Sequence, residues 1–143
     1  MVYDEKFVHF VVLFNYDRDY FECHEVMEEL WLEEGRNRFY QGLLQAAVGL
    51  HHWHNDNVTG AVKLFTAALE KLEPTGDIEH GLDLKALKAN AGHALDTLRQ
   101  ALADGSGPPV FQSFDIRVLD AELERQVGLL AAIPFEERMH TGK

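Results

Sequence analysis

Leu84, Leu87, Ala91, Ala94, Leu98 and Leu102 recur at intervals of three and four residues, and Asp83 stands just before them. That spacing lays one apolar stripe along an α-helix, with a carboxylate to cap its first amides and Gly105 to end it. The same period governs nearly all of the chain, and no segment alternates apolar and polar residues as a half-buried strand must. Phe7, Phe10, Val11 and Phe14 predict a first short helix ending near Asn15. Asp17 or Asp19 caps a second through about Glu34, with Gly35 as its stop. A third runs from about Arg36 to His54, Asn55 to Asn57 break the chain, and a fourth reaches Glu73 before Pro74. Beyond the Asp83 helix, GSGPPVFQSFD is too rich in Gly and Pro to be regular. A last helix, about Ile116 to Ala132, buries Ile116, Leu119, Leu123, Val127 and Leu130, and FEERMHTGK frays. Short connections between such helices imply antiparallel hairpins. The expectation is an all-α bundle of about six helices in a single domain, 1–143, with its C-terminal helices over 83–132.

Composition narrows the partners. The 143 residues can bury a real core, and 13 Lys and Arg against 24 Asp and Glu leave a net charge of −11. A field of that sign disfavours phosphate backbones and anionic lipid, which argues against nucleic acid and membrane surfaces. No apolar run approaches the ~18 residues of a membrane span. The start, MVYDEKFVHF, lacks a signal-peptide pattern, and the acidic bias would suit a high-salt cytoplasm. Cytoplasmic location is therefore expected. The lone Cys23 permits no internal disulfide and no cysteine-based zinc site. A homo-oligomer, another protein partner and an unidentified small-molecule substrate all stay open.

Gly49, Ala61, Phe65 and Ala68, with Pro74 beyond, fall at the spacing of the tetratricopeptide repeat. Tyr20, His24 and Met27 repeat the spacing of Ala61, Phe65 and Ala68, so His24 stands where a packed aromatic would otherwise be.

The stretch around it, YFECHEVMEELW (Tyr20 to Trp31), carries the candidate chemistry. On a helical wheel Tyr20, Phe21, Met27, Glu28 and Trp31 lie within about 60° of His24, whereas Glu22, Glu25, Glu29 and Glu33 lie about 100° or more away. Four glutamates thus form a wet face, while His24 and Glu28, one turn apart, point into the apolar stripe. A buried carboxylate needs a partner. The third helix offers Arg38, Gln41, Gln45 and His52 along one side, with Gly42 and Gly49 to let another helix come close. Packing the two stripes together gives a buried polar cluster.

Two readings of it compete. In one, Arg38 pairs with Glu28, the glutamines bridge, and the network fixes helix register, leaving a small pocket lined by Tyr20, Trp31, Gln41, Gln45 and Arg38 or a partner-binding groove. In the other, His24, Glu28 and His52 ligate a divalent ion (Zn, Mn or Fe), and a hydrolase activates water on it. HExxE is not the HExxH of zinc proteases, so that mechanism does not carry over. His52, or His51 through another partner, can join one site and His54 faces elsewhere; Cys23 reads as a small core residue, and His9, His80, His93 and His140 read as background.

The blocks from Phe14 to Trp31 and from Phe39 to His52 resemble the family called domain of unknown function 309, over about Phe14 to Leu72. The matching motif positions are His24, Glu25, Glu28, Trp31, Gln41, Gly42, Gln45 and His52. The resemblance implies a small all-helical protein. Members are often described as predicted metal-dependent hydrolases, a description resting on these same histidines and glutamates.

Overall fold

Six helices begin at an Asp or Asn whose side chain takes up an orphan backbone amide of the first turn. Asp4 accepts from Lys6 N, Asp19 from Glu22 N, Asn37 from Phe39 N and Tyr40 N, Asn57 from Gly60 N, Asp83 from Ala86 N and Asp120 from Leu123 N. Each such cap contributes about 1 kcal/mol and fixes where its helix starts. In the computed structural model, which describes residues 3–141, these caps open α1 (Glu5–Val12), α2 (Tyr20–Glu33), α3 (Arg38–His54), α4 (Val58–Leu72), α5 (Leu84–Asp104) and α6 (Ala121–Ala131). A π-helical turn, Leu13–Asp17, continues α1, and α7 (Phe135–Thr141) follows α6. The fold is all-α.

The helices pack in series. α3 lies between α2 and α4, α5 packs on α4, and α1 is held between α2 and α6. Phe7, Phe10, Phe14, Trp53 and Phe65 fill the shared core and are essentially fully buried. Gly42 and Gly49 permit the closest approach. A Cβ on Gly42 would stand 2.7 Å from Leu72 Cδ2, and one on Gly49 would stand 3.1 Å from the Phe65 ring. Both neighbours belong to α4, so the glycines bring α3 onto α4 and not, as expected, onto α2. The repeat-like spacing of Ala61, Phe65 and Ala68 is thus the packed face of a genuine helical hairpin, all three side chains being fully buried.

Four departures concern the C-terminal half. Ile78–Glu79 and Leu82–Asp83 (β1 and β2) pair antiparallel around a turn with His80 and Gly81 at φ 51° and 77°. Two residues per strand are too short for alternation to register. The last long helix starts at Ala121 and not at Ile116, because Asp120 caps it and Val118 bridges to Leu82. Ile116 is buried as expected, but from extended chain, while Leu119 and, at the end of the α5 stripe, Leu102 are exposed. Of the segment expected to fray, Phe135–Thr141 forms α7, anchored by the buried Arg138, which donates to Ile133 O and Asp17 Oδ1, and its last two residues lie outside the described ones.

The irregular stretch 105–120 crosses the array and is pinned along its length. Trp53 Nε1 donates to Pro109 O at 3.1 Å, Phe111 meets the Tyr20, Trp53 and His54 rings, and Phe114 meets Phe14. Asn15 then grips the backbone of Ile116 from both sides, its Nδ2 donating to Ile116 O and its Oδ1 accepting from Ile116 N, each at 2.8 Å.

Candidate functional site

The Asp19 cap sets the rotation of α2, and Tyr20, Cys23, Met27 and Leu30 turn into the core. His24 and Glu28 lie at the edge of that stripe. Their side chains are 30% and 50% exposed, so the pair is a surface feature and not the buried cluster the wheel suggests. His24 Nε2 is 3.2 Å from Glu28 Oε2, and its Nδ1 is 3.2 Å from Glu25 Oε1. Glu25, assigned to the wet face, therefore folds back onto the imidazole, which sits between two carboxylates.

The α3 residues are not drawn into this clamp. Arg38 is exposed, and among the described residues it forms no ion pair with Glu28. His52 Nδ1 faces Asn57 Nδ2 at 3.3 Å, and burial, helped by the neighbouring His51, lowers the His52 pKa from its ordinary value. Gln41 and Gln45 are partly buried, and Gln45 Oε1 is enclosed without a hydrogen-bond partner. Trp31 Nε1 is enclosed in the same way, its ring covered by the Arg36 guanidinium at 5.3 Å. Among the described residues, no group of three or more His, Cys, Asp or Glu side chains is arranged to hold a metal ion. The set His24, Glu28 and His52 is brought together only in its first two members.

What does come together is aromatic and histidine-rich. Phe21 is 52% exposed, and its ring centroid lies 6.2 Å from that of His24 and 5.9 Å from that of His51. Beside it the turn Asp17–Tyr20 and the end of α3, His51, His54 and Asn55, enclose a cavity of about 360 Å³. Tyr20 Oη is buried, and burial raises its pKa, an effect that the Arg18 guanidinium beside it opposes. Burial likewise pushes the Cys23 thiol well up, as befits the core residue expected.

Two histidines read as background have defined places. His80, at the hairpin tip, stacks on Phe39 with centroids 4.7 Å apart and meets Tyr40 Oη at 3.4 Å. His9 on α1 is partly buried with Nε2 enclosed and unpartnered. Asn15 is a further motif residue whose role sequence reasoning missed; a polar amide at the end of the run FVVLFN was the available signal. His93 is exposed as expected, and the His140 side chain lies outside the described residues.

Residues 7–64 match the family model "Domain of unknown function (DUF309)". The uncharacterized protein YpuF of Bacillus subtilis (strain 168) is 29% identical over 126 residues, which cover 86% of this chain and 70% of YpuF. An uncharacterized protein of Aquifex aeolicus (strain VF5) is 28% identical over 82 residues, covering 55% of this chain and 25% of that protein. The matched segment begins in α1 and ends within α4, so it contains every residue of the histidine–carboxylate clamp and the face around Phe21. Over residues 7–64 this chain is thus similar to the domain of unknown function 309 family.

Proposed function

We propose that this chain is a binding module, a helical scaffold that receives a partner on the aromatic and histidine face of α2 and α3, and not a metal-dependent hydrolase. The observation that supports this reading is the geometry around His24. A metal ligand offers a ring-nitrogen lone pair. The His24 imidazole lies instead between Glu25 and Glu28, whose carboxylates only accept hydrogen bonds, each 3.2 Å from a ring nitrogen. Both ring nitrogens thus face carboxylates of α2 itself, and His52, the third ligand expected, is turned to Asn57 instead. The set His24, Glu28 and His52 therefore does not fit the divalent ion that the resemblance implies.

The exposed Phe21 ring favours a partner surface. Apolar area left in water beside an open cavity is recovered when another molecule covers it. A ligand suited to this face carries an apolar or aromatic body for Phe21 and a hydrogen-bonding group for the imidazoles of His51 and His54.

Elemental analysis of tag-free protein by inductively coupled plasma mass spectrometry, wild type beside His24→Ala, separates the readings. Far less than one ion per chain in both is expected, even after dialysis against zinc, manganese and iron. One ion per chain that disappears in the variant would make the clamp half of a metal centre and overturn the proposal. Ligand-observed nuclear magnetic resonance with aromatic fragments supplies the positive test. Binding that Phe21→Ser abolishes is expected, and binding that Phe21→Ser leaves untouched counts against this face.

A further inference from the structure

On the far side of α2, about 200° around the helix from His24, lies a wider groove. Val8 of α1, Val26 of α2, Leu129 and Leu130 of α6, and Ile133 line a cavity of about 830 Å³. Two of these walls stay in water: Leu129 is 60% and Ile133 38% exposed, although α6 buries Leu123 and Val127 on its other side. Asp4, Glu5 and Glu29 line it as well, beside Lys6, His9 and Arg138. Glu29 belongs to the row Glu22, Glu25, Glu29 and Glu33 on the outer face of α2. The positive groups present are already engaged. Lys6 pairs with Glu33 and lies 3.9 Å from Glu29, and Arg138 donates to Asp17.

An apolar floor with acidic side chains among its lining has the pattern of a surface that receives an amphipathic helix, aliphatic side chains inward and basic ones outward. We infer that this groove docks a basic amphipathic helix of a partner protein. Charge complementarity selects that occupant. A second copy of this chain brings another net charge of −11, and an acidic helix would set like charges against Asp4, Glu5 and Glu29. The groove lies on the other side of α2 from the Phe21 face, so the inference goes beyond the function proposed above and does not depend on it.

The test uses the full chain and a model Leu–Lys amphipathic helix of about 18 residues, labelled and followed by fluorescence anisotropy. Beside it run a scrambled peptide of the same composition and a Leu–Glu counterpart. The Leu–Lys helix should bind, and the scrambled peptide at least about tenfold more weakly. Leu129→Gln and Ile133→Gln should each weaken binding about tenfold, while circular dichroism and melting confirm that these exposed substitutions leave the fold intact. Glu29→Gln should weaken binding and flatten its dependence on salt, and Phe21→Ser should leave Kd unchanged. Equal binding of the scrambled peptide, preference for the Leu–Glu helix, or an unchanged Kd in Leu129→Gln and Ile133→Gln would overturn the proposal. So would dimerisation of the chain that Leu129→Gln abolishes, since a second copy would then be the occupant.

Discussion

His9 couples one ring of α1 to the pH dependence of folding. Burial lowers its pKa first, the Arg138 charge pushes the same way, and Asp17 opposes them. With the folded value below the ordinary 6.5, the unfolded chain binds more protons near and below that pH. The contribution is full above 6.5 and is lost as pH falls from there through the lower folded value; His52, shifted in the same direction, adds to the trend. Urea unfolding should show stability falling from about pH 7.5 to about pH 5.5, and His9→Gln should reduce that fall. An unreduced fall would place the sensitivity elsewhere. His24 and Glu28 tell the opposite story. As a half-exposed pair one turn apart they are worth about 0.5 kcal/mol or less, so His24→Ala should barely move the denaturation midpoint. A drop above about 2 kcal/mol would restore a buried brace. The sequence set these two side chains inside the apolar stripe of α2, whereas they lie 30% and 50% exposed at its edge. It could not give their depth, because a helical wheel fixes direction and the neighbouring helices decide burial. Glu25 was missed for a related reason: a flexible carboxylate can reach an imidazole that its backbone angle turns away from.

At the scale of helices, the same substitution should change sign with its surroundings. Replacing Gly by Ala inside a helix gains about 0.5–1 kcal/mol from the backbone. At Gly92 on α5 nothing lies within 4 Å of the new Cβ, so Gly92→Ala should raise the melting temperature. At Gly42 the Cβ would meet Leu72 at 2.7 and 2.8 Å, and Leu72 is fully buried. Overpacking there costs about 1–3 kcal/mol and outweighs the backbone gain, so Gly42→Ala should lower the melting temperature. Two stabilised variants would mean that α4 yields to α3 more easily than its packing implies. The helices themselves were legible, since an Asp or Asn cap stands before each of the first six and five of those starts could be read within about two residues. Ile116 to Asp120 misled because a lone bridge and a side-chain clamp hold it extended, and neither leaves a periodic trace. The partner of Gly42 and Gly49 was misread because a small-residue stripe announces a close approach without saying which helix makes it.

For the whole molecule, Asn15 matters more than any residue of the clamp. Its two hydrogen bonds satisfy the N–H and C=O of a residue that is 1% exposed. Asn15→Ala would leave both groups enclosed and unpaired, which should cost about 2–3 kcal/mol in urea unfolding. Amide exchange should quicken over 105–120 before it does so in α3 or α4. A loss below about 0.5 kcal/mol would mean that Trp53, Phe111 and Phe114 hold the crossing segment unaided.

That crossing also sets an order in time. Asn15 waits for a partner 101 residues further on, and α1 meets α6 only after four helices intervene. A chain emerging from the ribosome can pair α2, α3, α4 and α5 as each hairpin appears, since those contacts are local. Val8 and the Asn15 amide stay open until the crossing segment and α6 arrive. Closure is then the long-range and therefore slow event of assembly. The last third of the chain completes a face that the first third begins.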